Sequence, residues 1–235
     1  VNTLTDEQIS KYLNHFPKNI TPFMDVNYPS DEREIRTDMV NIIRRACDQG
    51  LMISTYGTVS VRWKDDDFLI TPRDVARWDI LPKNIVQVRN GMAEAGKEPS
   101  RSVALHHRIY QLNPHINSII TTQPTNLMAH AVSHQKFDVR TIPESWIFLQ
   151  DVPSIPFESL YTDTEEIAQM FSKNRVVIVE NDSVIVTGNK LINTFDYLEV
   201  AEFSANSLVM ASSIGQLHPM GDAEIEELRV AFNVK

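Results

Sequence analysis

The chain has 235 residues, of which 42% are hydrophobic and 23% are charged, and its formal net charge is −9. This composition supplies a sizeable core and excludes a chain that is disordered throughout. No basic run stands out among the 22 Lys and Arg residues, which argues against a dedicated nucleic-acid-binding protein. No apolar run reaches the roughly 18 residues that would indicate a membrane span.

The cysteine and the first residues bear on the cellular setting. A single cysteine, Cys47, excludes an internal disulfide and a zinc site built from several thiolates. Because the first ten residues are polar and acidic rather than apolar, we predict no signal peptide, and we place the protein in the reducing cytoplasm. The sequence begins at Val1 rather than Met, so we expect it to be part of a longer or processed polypeptide.

The first part of the chain predicts an extension, a helix and a β-hairpin, in that order. Residues 1–29 are interrupted by three prolines, and we interpret them as an N-terminal extension that ends in a linker. Residues 30–49 have apolar positions at helical spacing, with acidic residues in the first turn and Gly50 after the last. Two strand-like runs, 58–63 and 68–71, flank a short acidic turn, which predicts a hairpin.

The remainder of the chain predicts short strands mixed with helices. Four runs have the apolar or alternating pattern of strands: 85–88, 116–122, 176–179 and 184–187. Three segments have helical spacing: 101–112, 127–133 and 191–214. Hairpins together with crossover connections indicate an α/β or α+β domain. Since no boundary divides residues 30–215, we predict one domain there and a C-terminal tail over residues 216–235.

Four stretches carry motifs in a fixed order: GLMISTYGTVSVR (50–62), FLITP (68–72), GKEPSRSVALHHRIYQLNPHINSIITTQP (96–124) and VVIVENDSVIVTGNKLINTFDYLEVAEFSANSLVMA (176–211). In order and interval they resemble the Gly-Asn turn, the Thr-Pro turn, the Pro-Ser-Ser-Glu and His-Thr-His-Pro motifs and the Asn-His-Gly turn of the class II aldolase/adducin family. The resemblance covers about residues 32–215. It implies a single α/β domain with a central, mainly antiparallel sheet flanked by helices, and a homo-oligomer, commonly a tetramer.

The resemblance also implies a site in which the key residues are replaced. The family includes sugar-phosphate aldolases and L-ribulose-5-phosphate 4-epimerase, and its enzymes hold a zinc-type ion with three histidines. The three ligand positions fall on Thr121, Gln123 and Asp182, and the position of the acid/base glutamate falls on Ser102. These side chains offer oxygen rather than imidazole nitrogen, and Ser102 has no pKa near neutrality. We therefore expect no bound metal and no catalysis of the family's type.

The phosphate end of the site is better preserved. The family's phosphate-binding positions fall on five residues: Thr58, Thr71, Arg73, Ser100 and Arg101. Arg73 and Arg101 replace small residues, and guanidinium groups pair well with phosphate oxygens. The alternative interpretation, which we prefer, is that Arg101 forms an ion pair with Asp182 and fills the volume of a lost site, since ion pairs often perturb sites without serving a function.

A substitute metal site involving His130 and His134 is a further alternative. These two residues are four apart on a predicted helix, so their side chains can share one face. A zinc site needs three or four ligands, and no third ligand is evident in the neighbouring sequence. We therefore expect both histidines to have structural rather than metal-binding roles.

Three hypotheses for function stay open at this point. The first is a non-catalytic family member kept for oligomer assembly or for binding a small phosphorylated metabolite. The second is an active sugar-phosphate aldolase or epimerase with a rebuilt site, which would use zinc or another divalent metal. The third is that this chain supports an intact aldolase-like partner domain that does the chemistry.

Overall fold

The computed structural model describes residues 30–234, and the predicted extension over residues 1–29 lies outside the described residues. The strands are β1 (Thr58–Lys64), β2 (Asp67–Ile70), β3 (Val86–Arg89), β4 (Met92–Ala93), β5 (Ser118–Thr122), β6 (Ser154–Ile155), β7 (Val176–Val179) and β8 (Ser183–Gly188). The helices are α1 (Ser30–Asp48), α2 (Val103–Leu112), α3 (Thr125–Ser133), α4 (Pro143–Leu149), α5 (Ser159–Thr162), α6 (Thr164–Met170), α7 (Leu191–Ser212) and α8 (Asp222–Ala231).

These strands form one sheet with the order β4-β3-β2-β1-β5-β8-β7-β6. Every neighbouring pair is antiparallel except β6 and β7, which are parallel. This arrangement confirms the predicted α/β fold with a mainly antiparallel central sheet and flanking helices. Within residues 30–234, no helix is both long enough and apolar enough to cross a membrane.

The sheet is buried on both faces because its strands alternate between two apolar cores. Leu69 and Ile120 belong to a core that is completed by α1, α3, α4 and α7. Their neighbours Phe68, Ile70 and Ile119 belong to a second core, which is completed by α2 and α6. Since successive side chains of a strand point to opposite faces, the two cores lie on opposite sides of the sheet.

Two tight turns connect the central hairpins. Asp65, between β1 and β2, and Asn181, between β7 and β8, have positive φ values of 46° and 58°. Asn and Asp tolerate this left-handed conformation better than most residues because their short side chains can bond locally. The amide of Asp182 donates to the Val179 carbonyl at 3.2 Å, which closes the second turn and places Asp182 immediately before β8.

Short elements outside the predicted ones complete the fold. The helices α4 and α6 have seven residues each and β6 has two, which is too short for a clear periodic pattern. The C-terminal tail contains α8, whose Asp222 pairs with Arg140 at 2.7 Å. The predicted boundaries at residues 30 and 215 stay predictions.

Candidate functional site

A cleft of about 690 Å³ opens where β1, β5 and β8 meet the start of α2. The predicted site residues that line it are Thr58, Arg73, Ser100, Arg101, Ser102, Thr121, Gln123 and Asp182. Thr71 does not line this cleft. The fold therefore brings the predicted metal end and the predicted phosphate end of the site into one cavity, although their roles stay predictions.

Strand register explains why these distant residues meet. Thr58 on β1 lies opposite Thr121 on β5, and Thr121 in turn lies opposite Ile185 on β8. Gln123 follows the end of β5 and Asp182 precedes β8, so the two residues are neighbours across the sheet. Their contact is a hydrogen bond of 2.6 Å from Gln123 Nε2 to the backbone carbonyl of Asp182.

The predicted phosphate end contains buried hydroxyls. Thr58 Oγ1 and Ser100 Oγ are 2.5 Å apart, and Ser100 Oγ also accepts from the Ser102 amide at 3.4 Å. Thr71 lies behind them, where its hydroxyl accepts from the Val59 amide at 3.3 Å and its carbonyl accepts from the Ser100 amide at 3.0 Å. Thr71 thus stabilises the segment that contains Ser100, while the side chains of Thr58 and Ser100 line the cavity.

Arg77 is a wall residue that the sequence analysis missed. Its guanidinium is buried and donates to the carbonyls of Gly57, Val75 and Pro72 at 2.8, 2.6 and 3.3 Å. Within residues 30–234 it forms no ion pair, and burial lowers the pKa of Arg77 to about 10, so it stays charged at neutral pH. No motif surrounds Arg77 in the sequence, because its partners are backbone atoms that only the folded loops bring together.

The charges around the cleft favour an anion. Three arginines and two aspartates line it, whereas the chain as a whole carries a net charge of −9. Arg73 lies 3.5 Å from Asp74 and 3.9 Å from Glu98 on the exposed rim. Within the described part of the chain, Arg101 forms no ion pair with Asp182, so the preferred sequence interpretation of that pair was wrong. The guanidinium of Arg101 is exposed at the cleft.

The residues at the predicted metal positions do not fit a zinc-type ion. Thr121 Oγ1 is hydrogen-bonded to His106 Nε2 at 2.9 Å, and Gln123 Nε2 is held by a backbone carbonyl. The carboxylate of Asp182 accepts from Ser183 Oγ at 2.6 Å. This set offers a hydroxyl, an amide and one carboxylate, whereas zinc prefers imidazole and thiolate ligands. Among residues 30–234, no group of three or more His, Cys, Asp and Glu side chains is placed to hold a metal.

A buried polar chain lies behind Thr121. Tyr110 OH and His106 Nδ1 each lie 2.8 Å from Ser60 Oγ, and His106 Nε2 contacts Thr121. Burial lowers the pKa of His106 to about 3, so the imidazole is neutral at physiological pH. Burial also raises the pKa of the Tyr110 hydroxyl. All of these groups are therefore uncharged, and they connect the core to the cleft through hydrogen bonds alone.

His130 and His134 do not form a joint site. His130 is buried, and its ring lies edge-on to Phe137 with the centroids 5.3 Å apart. His134 is exposed at the end of α3 with a φ of 56°, and its Nε2 lies 2.9 Å from Asn181 Oδ1. The left-handed residue at 134 breaks the helical spacing on which a shared face depends.

Comparison with known proteins identifies the scaffold. The family model described as "Class II Aldolase and Adducin N-terminal domain" matches residues 37–209. A 3-oxo-tetronate 4-phosphate decarboxylase from Cupriavidus necator is 25% identical over 217 residues, which cover 88% of this chain and 99% of that protein. An L-fuculose phosphate aldolase from Methanococcus vannielii is 25% identical over 178 residues, which cover 74% and 96% respectively.

A solved structure supports the same fold. An aldolase II superfamily protein from Pseudomonas syringae superposes with a TM-score of 0.78 at 18% identity, covering 88% of this chain and 87% of that one. At this identity the likeness concerns the fold alone. The cleft residues must therefore be judged by their own chemistry.

Proposed function

Because the chain belongs to the class II aldolase/adducin family, we propose that its cleft binds a small phosphorylated metabolite without the family's metal-dependent catalysis. The observation that carries this proposal is a set of hydroxyls and arginines in a cavity of suitable size. Curated relatives act, by name, on tetronate and fuculose phosphates. A ligand of this class carries a dianionic group that needs several donors.

Donors for such a group converge at one end of the cleft. The hydroxyls of Thr58 and Ser100 line it beside the amino-terminal turn of α2, where the helix dipole favours an anion. Arg101 adds an exposed guanidinium, and Arg77 adds a buried charge whose position is set by three carbonyls. Arginine suits phosphate because its planar N–H groups match two oxygens at once.

The other end supports the absence of metal chemistry. The family's mechanism needs an electrophile beside a developing oxyanion and a nearby acid/base group. A poor set of zinc ligands is offered by Thr121, Gln123 and Asp182, because none of them supplies an imidazole or a thiolate. The Ser102 hydroxyl does not titrate near neutral pH. Ser102 lines the cleft, and within the described residues its side chain makes no cap hydrogen bond to α2, so we expect its hydroxyl to act as a binding group.

Phosphate binding tests the proposal directly. We expect inorganic phosphate to protect the protein against thermal unfolding, and to do so less well in Arg101→Gln and Ser100→Ala variants. Arg108→Gln is the matched control, because Arg108 lies on α2, shortly after Ser100 and Arg101 in the chain, but pairs with Glu165 outside the cleft. Equal protection of all variants would contradict a site at this position.

Metal content and turnover test the second half of the proposal. Protein purified without chelator is expected to contain far less than one zinc per chain. It is also expected to leave a panel of ketose 1-phosphates and sugar-acid phosphates unchanged. Stoichiometric zinc held at the cleft would contradict the proposal, and so would turnover that is lost in an Asp182→Ala variant.

We also propose that the protein works as a homo-oligomer in the cytoplasm. Large apolar side chains are exposed on and beyond α7, namely Phe203 (64%), Met210 (60%) and Ile214 (87%). Exposed apolar surface of this kind is common at subunit contacts. Light scattering coupled to size-exclusion chromatography measures the subunit number, which the family resemblance suggests is four. A monomer at micromolar concentration would contradict the assembly.

A further inference from the structure

The hydrogen-bonded polar groups behind the cleft run from Tyr110 through Ser60 and His106 to Thr121. Only one order of donors and acceptors gives every buried proton among them an acceptor. Tyr110 and Ser60 bond to each other, Ser60 bonds to His106 Nδ1, and His106 Nε2 bonds to Thr121. Within residues 30–234 the Tyr110 hydroxyl has no hydrogen-bond partner other than Ser60. Tyr110, Ser60 and His106 are at most 1% exposed, so solvent does not replace a missing partner.

Counting protons then fixes the donors. Each hydroxyl has one proton to donate, and a neutral imidazole has one N–H. The Tyr110 proton can go only to Ser60, so Ser60 must donate its own proton to His106 Nδ1. That nitrogen is then an acceptor, which places the N–H on Nε2, and this N–H donates to Thr121. The reverse direction leaves the Tyr110 proton buried without an acceptor, an arrangement that folded proteins avoid.

We infer that Thr121 is a specificity-determining residue whose hydroxyl presents a proton to the cleft. Its oxygen accepts the Nε2 proton of His106, so the Thr121 proton is not used within this set of hydrogen bonds and is available to a ligand. The position therefore selects a ligand oxygen that accepts a hydrogen bond. Where a family enzyme would offer a lone pair to a cation, this chain offers a proton.

The inference names a class of ligand and rests, for that part, on the proposed phosphate end. Thr58 and Ser100 hold the phosphate at one end of the cleft, and Thr121 lies on the neighbouring strand opposite Thr58. A matching ligand carries a phosphate and, a few carbons away, a hydroxyl, carbonyl or carboxylate oxygen. Phosphorylated sugars and sugar acids have this pattern, whereas inorganic phosphate has only the first group.

Nuclear magnetic resonance tests the direction of these hydrogen bonds without any ligand. Long-range ¹⁵N–¹H spectra of the full protein labelled at histidine distinguish an imidazole protonated at Nε2 from one protonated at Nδ1. We expect the Nε2–H form for His106, assigned by its loss in a His106→Gln variant. An Nδ1–H form would overturn the inference.

Binding tests the donor role of Thr121. The probes are erythronate 4-phosphate, which carries both groups, and inorganic phosphate, which carries one. Thr121→Val keeps the branched shape but removes the hydroxyl. We expect this variant to bind erythronate 4-phosphate about tenfold more weakly, whereas its affinity for inorganic phosphate should change less than about twofold. Thr121→Ser keeps the hydroxyl and is expected to bind both probes nearly as well as the natural chain.

The outcomes separate this inference from the proposed function. Equal weakening of both probes in Thr121→Val would overturn the donor role of Thr121 and leave the phosphate site standing. Failure of the natural chain to bind either probe would refute the proposed function and the ligand class together. In that case the His106 spectrum would still decide the direction of the hydrogen bonds.

Discussion

Acid should destabilise this fold through His106. The ring is completely buried, its two nitrogens bond to uncharged hydroxyls, and its pKa falls from about 6.5 in the unfolded chain to about 3. The unfolded chain therefore binds a proton in a pH range where the folded protein does not. The stability contributed by neutral His106 is complete above about pH 7 and is lost as the pH falls toward 3.

The size of the effect follows from the two pKa values. Between pH 8 and pH 5 the unfolded chain gains most of one proton at this residue, while the folded protein gains almost none. Linkage converts this difference into a loss of about 2 kcal/mol in the free energy of unfolding at pH 5. This loss is a large share of the free energy of unfolding of a domain of ordinary stability, which is about 5–15 kcal/mol.

Urea unfolding at pH 8 and pH 5, at one protein concentration, measures this loss. A His106→Gln variant is expected to be less stable at pH 8, but its further loss at pH 5 should be smaller than that of the natural chain by about 2 kcal/mol. His115→Gln is the control, because His115 is exposed and forms no ion pair within residues 30–234. Identical pH dependence in the His106→Gln variant and the natural chain would refute the reasoning.

Three further predictions concern stability and the cleft. Glu202→Ala should lower the free energy of unfolding by about 1–2 kcal/mol in urea, since its carboxylate accepts from the first amides of α3; Glu202→Gln should cost less. Gly188→Ala should cost about 1–3 kcal/mol in the same assay, because the added Cβ would lie 2.5 Å from Thr194 Oγ1; an unchanged midpoint would show that this contact relaxes freely. Arg77→Lys should weaken phosphate binding and lower the melting temperature, because an ammonium group cannot reach three carbonyls in one plane; an unaltered phosphate affinity would remove Arg77 from the site.

Local patterns in the sequence predict the major elements closely. The helix predicted over residues 30–49 is observed as Ser30–Asp48, and the helix predicted over 191–214 is observed as Leu191–Ser212. The predicted hairpin of β1 and β2 forms around a short acidic turn, and the strand-like runs at 176–179 and 184–187 pair as β7 and β8. These features depend on side-chain periodicity and turn chemistry, which act over a few residues.

The residue types of the candidate site were also readable from the sequence. Ordered motifs placed Thr121, Gln123, Asp182 and Ser102 at one site, and the cleft contains all four. Their oxygen chemistry, and its poor match to zinc, follows from residue identity alone. The family model matches residues 37–209, while the predicted domain boundaries at residues 30 and 215 stay predictions.

Tertiary structure alone decided the partners of these groups. Arg101 is free of Asp182 within the described residues, and Arg77 holds carbonyls from separate loops. The direction of the bond between His106 and Thr121 depends on Tyr110, through Ser60 on a different element. The acceptor of a buried proton lies among the groups that strand register and packing bring together. Residues far apart in the sequence carry no local pattern that predicts such a contact.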